Sequence, residues 1–426
     1  MLLCQLFYPE MVSTGQIVTE LAEELAALGL RIVVIAGQPT VVPGAARVER
    51  LLQYKGVTIQ RSWSTRLPKT SVLGKLINLA TFFASAALTV LLRYPHTHLL
   101  VVSNPPYLPA VGWLSSILRR QSFGVLLHDI YPECAESLGF LKPGGLVASC
   151  WRRMNGLWYR RSAYTIVLSN DMLVGALDNA RLRGTPDEPL ARAKTHVIHV
   201  WADDRVIAPK PKAESAEAKR LGVLGRFVAQ YSGNLGRFHD IKTLLELASS
   251  FKPEDGLTFQ FIGEGQKKRM VTDYLAMNPA APIYVSSYVP KDLLPDSLAM
   301  ADLGLVAQLP GQERVCYPSK LLGIMAAGRP VLAICPPGCE MAEMIRRYET
   351  GFVVPNGNVA EARRVMLHAM RNPELLARMG ANAARLLREK FTLASAVEAY
   401  YRLITENMTS PSSLLSTRRS GSAQPF

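Results

Sequence analysis

The sequence predicts an α/β chain of two doubly wound domains, and three observations carry that prediction. At 426 residues the chain exceeds what one core usually serves, and two domains of roughly 200 residues are the natural division. Short apolar runs alternate with helical patterns from end to end, the mark of a mainly parallel sheet covered by helices on both faces. The pattern stops once, at Pro209-Lys210-Pro211-Lys212-Ala213-Glu214-Ser215, and then restarts.

In the first half, strands are expected at 2–6, 31–36, 98–103, 124–127, 165–168 and 196–199, with helices at 17–28 and near 151–161 among the connections. In the second half, strands are expected at 227–231, 258–262, 283–285, 303–306, 330–334 and 351–354. Helices are expected there at 241–250, 359–371, 373–390 and 393–406. This gives a first domain over 1–207, a linker over 208–220, a second domain over 221–392 and a last helix over 393–407. The segment 408–426, rich in Ser and Arg and without periodicity, is expected to be disordered.

Composition excludes several classes. Hydrophobic residues make up 49% and charged residues 19%, so the chain buries a substantial core and is not intrinsically disordered. A net charge of +14 favours an anionic partner, either a membrane surface or a phosphorylated substrate. No nucleic-acid-binding motif accompanies it, and the basic residues are spread out, so nucleic acid is not an expected partner. The six cysteines (Cys4, Cys134, Cys150, Cys316, Cys335, Cys339) lack paired metal-ligand spacing and read as buried, reduced thiols of a cytoplasmic protein. No signal-peptide pattern opens the chain.

Residues 76–92 carry no charge between Lys75 and Arg93, a length at the lower limit for a membrane span. Asn78, Thr81, Ser85 and Thr89 recur on one face at helical spacing, which favours a helix packed within the first domain. The alternatives are an interfacial helix with Arg66, Lys69 and Lys75 near lipid phosphates, and a true span.

Candidate chemistry gathers in loops that follow strands, where open α/β sheets bind ligands. The segment Pro318-Ser319-Lys320 reads as the opening of a helix capped by Ser319, closed at Gly328 and followed by a strand from Pro330. Backbone N–H groups, a hydroxyl and an ammonium at such a place suit a diphosphate. In Tyr231-Ser232-Gly233-Asn234-Leu235-Gly236-Arg237, Gly233 and Gly236 admit a close ligand and Arg237 offers a phosphate-binding fork. The spacing is not the three-glycine dinucleotide fingerprint, so a nicotinamide cofactor is disfavoured. Gly263-Glu264-Gly265 makes a second close-approach turn, and Ser13-Thr14-Gly15-Gln16 faces the cleft from the other domain. His128 and Asp129 end a strand with Glu133 just beyond, a placement that points to function.

In this order the segments resemble family-4 glycosyltransferases, in particular the bacterial branch of exopolysaccharide, O-antigen and colanic acid assembly. Residues 231–236 (YSGNLG), 261–265 (FIGEG) and 317–333 (YPSKLLGIMAAGRPVLA) carry the likeness, which extends over about 1–405. The resemblance implies a GT-B fold, with two Rossmann-like domains facing a central cleft, the donor on the C-terminal domain and the acceptor on the N-terminal one. It implies a retaining, metal-independent transfer that needs no cofactor and uses a nucleotide-diphosphate sugar. The acceptor would be a polyprenyl-diphosphate-linked glycan at the inner face of an anionic membrane.

On this likeness His128, Asp129, Arg237 and Lys320 are the catalytic candidates. Arg237 and Lys320 meet the diphosphate, His128 contacts the transferred sugar, and Asp129 or Glu133 orients it or the acceptor. Gly15, Gly233, Asn234, Gly263, Glu264, Pro318, Ser319 and Glu340 are the donor-binding candidates, with Ser13, Thr14 and Glu133 on the acceptor side. Where many relatives carry a pair of glutamates, this chain has Val315 and Gly323; where they carry Arg and Lys in the glycine loop, it has Asn234 and His239. These departures leave two alternatives: a degenerate, non-catalytic binding partner, and a nucleotide-sugar epimerase on the same fold.

Overall fold

A computed structural model describes residues 1–10, 13–39, 48–67 and 71–408, without the Ser13 and Val72 side chains. Lys69 and the segment 409–426 therefore lie outside the described residues. The first sheet has eight strands: β1 (Leu2–Leu3), β2 (Ile32–Ala36), β3 (Leu51–Tyr54), β4 (Val57–Arg61), β5 (Leu99–Val102), β6 (Phe123–Leu126), β7 (Tyr164–Val167) and β8 (Thr195–Val197). Their order is β3-β4-β2-β1-β5-β6-β7-β8, parallel except for β3 against β4. Strands β5, β6 and β7 are buried along their whole length, because helices cover both faces and leave no side for polar residues.

The sequence reading missed the β3–β4 hairpin. Its signal was Lys55-Gly56: both residues have positive φ, 44° and 78°, which a two-residue hairpin turn requires. A second register detail explains a glycine. A Cβ on Gly124 of β6 would stand 2.2 Å from the Tyr164 ring of β7, so only glycine fits there.

Helices α1 (Ser13–Ala27), α2 (Val72–Arg93), α3 (Pro109–Leu118), α4 (Glu133–Ser137), α5 (Leu146–Arg161), α6 (Asn170–Asn179) and α7 (Glu188–Ala193) connect these strands. The α2, α3 and α5 helices lie side by side. The α2 helix packs through Phe82, Ala86 and Val90 and turns its weakly polar stripe inward. Ser85 Oγ accepts from Trp63 N (3.0 Å), Thr81 Oγ1 from Thr65 N (3.1 Å) and Asn78 Oδ1 from Leu67 N (2.9 Å).

The second sheet has six parallel strands: β9 (Phe227–Ser232), β10 (Leu257–Ile262), β11 (Ile283–Ser286), β12 (Leu303–Ala307), β13 (Val331–Ile334) and β14 (Gly351–Val354). They run in the order β11-β10-β9-β12-β13-β14. Around them stand α8 (Ala216–Arg220), α9 (Ile241–Ser249), α10 (Lys268–Met277), α11 (Leu294–Ala299), α12 (Lys320–Ala326), α13 (Glu340–Arg347), α14 (Val359–Arg371) and α15 (Pro373–Lys390). Part of the segment read as linker is folded onto this sheet. Ser215 caps α8 from its side chain, Ala218 is buried with Val223, Val228 and Met300, and Lys212 pairs with Asp302. A proline-spaced lysine run looked featureless in sequence because its partners lie some 80 to 90 residues away.

The final helix, α16 (Leu393–Met408), returns to the first domain and lies against α1. Its Tyr400 ring meets Trp201 edge-on, and Trp201 Nε1 donates to Glu20 at 2.9 Å. The chain thus passes between the domains twice. The two passages meet where Ala202 bridges Thr392 and Ala202 N donates to Phe391 O at 3.3 Å.

Candidate active site

The C-terminal wall of the cleft is made by three loops that touch. Gly233, just past β9, has φ 133°, and a Cβ there would come within 3.3 Å of Lys320 Cε. Gly263, just past β10, has φ 142°, and a Cβ there would stand 2.0 Å from Gly233 O. These glycines are required because the Gly263 loop stacks on the Gly233 loop and the Lys320 stem packs on Gly233. The sequence placed all three segments in one site, and the structure brings Gly233, Gly263 and Lys320 together.

Lys320 is the most perturbed cation of the site. Its Nζ stands 3.1 Å from His239 Nε2 and 4.8 Å from the centre of the Tyr231 ring. Burial pushes its ammonium down from 10.5 to about 7, against a weaker upward pull from Cys316. His239 is held neutral: burial first, then Lys320 and Lys267, push it down to about 2 against the Asn234 carbonyl. The Gly236 N–H donates to Nδ1 at 3.1 Å, which assigns the ring proton to Nε2, facing Nζ. His239 is a site residue whose role was not drawn from sequence. Its position three residues beyond Gly236, in the place of a lysine of the resembled family, was the available signal.

The opposite wall ends at β5 and β6. Ser103 Oγ accepts from His128 N at 3.1 Å and donates to Asp129 O at 3.4 Å. His128 is buried, its Nε2 has no hydrogen-bond partner among the described residues, and desolvation lowers it from 6.5 to about 4. It is a neutral imidazole at neutral pH. Asp129 keeps part of its surface open, yet its carboxyl is raised to about 6 by the protein atoms around it. The backbones join the walls: Asp129 bridges Cys316, and Ile130 N donates to Val315 O at 3.0 Å. His128 and Asp129 therefore face the segment that leads into Lys320.

Several expected contacts are arranged otherwise. Ser319 has helical angles (φ −56°, ψ −23°) and its side chain makes no capping bond, so the cap read from sequence is absent. Tight turn bonds open the helix instead, from Leu321 N to Pro318 O and from Leu322 N to Ser319 O. Pro318 is buried and Ser319 exposed. Gly15 sits in the first turn of α1 with its Cα against the chain: a Cβ there would meet Glu10 O at 2.4 Å. Backbone packing is enough to require glycine there. Thr14 Oγ1 accepts from Asn104 Nδ2 at 3.3 Å, and the Ser13 side chain lies outside the described residues.

Arg237 reaches across to the first domain, its guanidinium 5.0 Å from the centre of the Phe140 ring. Asn234 is exposed, with its carbonyl accepting from Tyr231 Oη at 2.7 Å. Glu264 is exposed and paired with Lys268 at 2.6 Å, which holds its carboxyl below the usual value. Glu340 is an interdomain clamp. It accepts from His199 Nε2 at 2.8 Å and from Asn170, while its own N donates to Asp171 Oδ2 at 2.7 Å. Burial works to raise its pKa, but these donors outweigh it and hold the carboxyl low. Glu133 pairs with Arg152 at 2.7 Å and accepts from Asn179. It also lines a cavity of about 370 Å³ between the domains, with Gln312 and Arg314 opposite. Of the cysteines expected to be buried, Cys150 is exposed on α5.

Two Rossmann-like domains that close on a cleft, with stacked glycine loops and a lysine on the C-terminal side, define the GT-B fold of glycosyltransferases. Residues 214–386 match the family model described as Glycosyl transferases group 1, and this part of the chain is a group 1 domain. A curated relative, the probable glycosyltransferase WbjE of Pseudomonas aeruginosa, is 27% identical over 262 residues, 60% of this chain and 63% of that protein. The chain thus matches under two thirds of that relative's length. Among solved structures, sucrose-phosphate synthase from Thermosynechococcus elongatus superposes with a TM-score of 0.75 at 14% identity, covering 95% of this chain and 98% of that one. HepE of Anabaena, solved with UDP and glucose, gives 0.70 at 15% identity, covering 95% and 99%. Likeness at this identity establishes the fold.

Proposed function

We propose that the chain is a retaining, metal-independent glycosyltransferase that moves a sugar from a nucleotide-diphosphate donor to a polyprenyl-diphosphate-linked glycan. The setting is cell-surface polysaccharide assembly at the inner face of the cell membrane. The observation that carries this reading is the packing of the Lys320 stem against Gly233, on which Gly263 is stacked in turn, so that a lysine stands beside two close-approach loops. A departing diphosphate gains charge as the bond to the anomeric carbon breaks, and a preplaced cation in a dry site stabilises that charge with little reorganisation. HepE, solved with UDP and glucose, supports a nucleotide-sugar donor. Across the cleft, the neutral His128 contacts the transferred sugar, and Asp129 orients the sugar or the acceptor hydroxyl.

A second reading, a binding partner without turnover, is favoured by one observation. Gly323 supplies no side chain one turn beyond Lys320, although a Cβ there would meet only Leu298 Cδ1, at 3.7 Å. Thermal shifts across nucleoside diphosphates identify the donor class, since a ligand that binds the native state raises the midpoint. Product analysis with donor alone and with donor plus acceptor then separates the activities. Transfer only with acceptor supports the proposal, conversion of donor alone identifies an epimerase, and binding without conversion identifies the non-catalytic partner.

A further inference from the structure

The solvent-facing side of α2 is the reverse of what a surface helix of a water-soluble domain presents. Its outward stripe is Leu73, Leu76, Ala80, Ala84, Leu88 and Leu92, spaced by three and four residues, and the four leucines are 56–66% exposed. The polar positions Asn78, Thr81 and Ser85 are turned inward onto the 63–67 segment. The most apolar 18 residues within Leu73–Arg93 have a mean hydropathy of 1.7, and 22% of them are buried. A helix of that length and composition is able to cross a bilayer, but this one is fastened to its domain through Phe82, Ala86 and Val90.

The neighbouring helices extend the surface. Ile117 and Leu118 are exposed at the end of α3, and Leu146, Val147, Met154 and Leu157 on α5. Trp63 and Leu67, on the segment bound to α2, are exposed as well. No Asp or Glu occurs anywhere in α2, α3 or α5. Lys75, Arg93, Arg119, Arg120 and Arg153 are exposed on or beside these helices, and none pairs with a carboxylate among the described residues. An apolar face of this extent marks an interaction site. Leucines bordered by lysine and arginine, an exposed tryptophan and no acid fit the interface of an anionic bilayer, where the apolar stripe enters the headgroup boundary and the cations meet lipid phosphates.

We infer that α2, α3 and α5 form a docking face on which the first domain lies against an anionic lipid surface, with α2 in the plane of the interface. Each of these helices follows a strand of the first sheet, so the docked domain is the one that carries His128 and Asp129. The docking stands on the surface itself, and only the lipid-linked acceptor rests on the transferase reading.

Flotation of the full-length protein tests it, with vesicles of equal parts phosphatidylglycerol and phosphatidylcholine against phosphatidylcholine alone. The protein is expected to float with anionic vesicles and to partition about tenfold less with neutral ones or in high salt. The double variant Leu76→Glu, Leu88→Glu alters only outward positions and is expected to lose flotation about tenfold while keeping its thermal shift with nucleoside diphosphate. Arg119→Glu with Arg120→Glu is expected to lower binding to anionic vesicles alone. The inference is overturned if the unaltered protein stays with the soluble fraction at low salt, or if the leucine variant floats equally well. It is also overturned if the protein is a dimer that Leu88→Glu converts to monomer without any vesicle binding, which would make the face a contact between copies. Absence of any nucleotide shift, with flotation intact, would count against the transferase reading and leave the docking face standing.

Discussion

Lys320 and His239 give donor binding a defined dependence on pH. With the Gly236 N–H on Nδ1, the ring presents Nε2–H to Nζ, an arrangement that an amine accepts and an ammonium does not. The groups facing Lys320 are His239, the Tyr231 ring and Cys316, and the nearby Lys267 adds positive charge through His239. A diphosphate in this site needs the charged form, so binding above pH 7 takes up a proton. With a free-state value of about 7, apparent affinity falls as 1 + 10^(pH − 7), which is about 90-fold between pH 6 and pH 9, or about 2.7 kcal/mol. The ligand should be a nucleotide-diphosphate sugar, whose phosphates do not titrate in this range. Calorimetry in buffers of different ionisation enthalpy should show about 0.9 proton taken up per ligand at pH 8. Lys320→Met should bind weakly and with no such slope. An affinity that changes less than about threefold from pH 6 to pH 9 refutes the reasoning, as does a Lys320→Met variant that keeps the slope.

Other perturbations have equally definite outcomes. Gly263→Ala places a methyl 2.0 Å from Gly233 O at a φ of 142°, so the two loops must part; nucleotide stabilisation should vanish while the overall far-ultraviolet spectrum persists. Gly323→Ala adds a methyl that meets only Leu298 at 3.7 Å in a helix interior, and urea unfolding should show a gain of up to about 1 kcal/mol. Glu340→Ala removes the clamp on His199 and Asn170, and small-angle scattering should report a larger radius. In the parent, the clamp is present above the ordinary glutamate value of 4.5 and is lost as the pH falls through the lowered one. Phe82→Ala empties a fully buried site under α2 and should cost about 3–5 kcal/mol in denaturant unfolding.

Local signals were legible in the sequence, and distant partners were not. The buried strands β5, β6, β7 and β12 read clearly because four or five consecutive uncharged and almost wholly apolar residues leave little alternative. The glycine loops were readable only in combination, because a single strand–Gly–helix junction is often structural and it is their order along the chain that marks a site. The β3–β4 hairpin was passed over because Leu51–Tyr54 is half exposed and only Lys55-Gly56 marks the turn. Ser319 has the composition of a cap, but Pro318 and Tyr317 begin a tighter turn that uses its backbone. Arg237 and Glu340 were assigned to the donor from the glycine loop and the family likeness, and their contacts with Phe140 and His199, about a hundred residues away or more, were not legible. The helical period of residues 76–92 identified the polar face correctly; only the tertiary structure shows that this is the face turned inward.

The meeting of Ala202 with Thr392 has a mechanical consequence. Two covalent passages joined side by side act as a door hung on paired hinges: swinging about the line through them is easy, whereas twisting or sliding would stretch one strand against the other. Opening of the cleft is thereby confined to one arc. Closure along that arc would set Asp129 back against Cys316, so that the hinge and the interdomain bridge would favour one register.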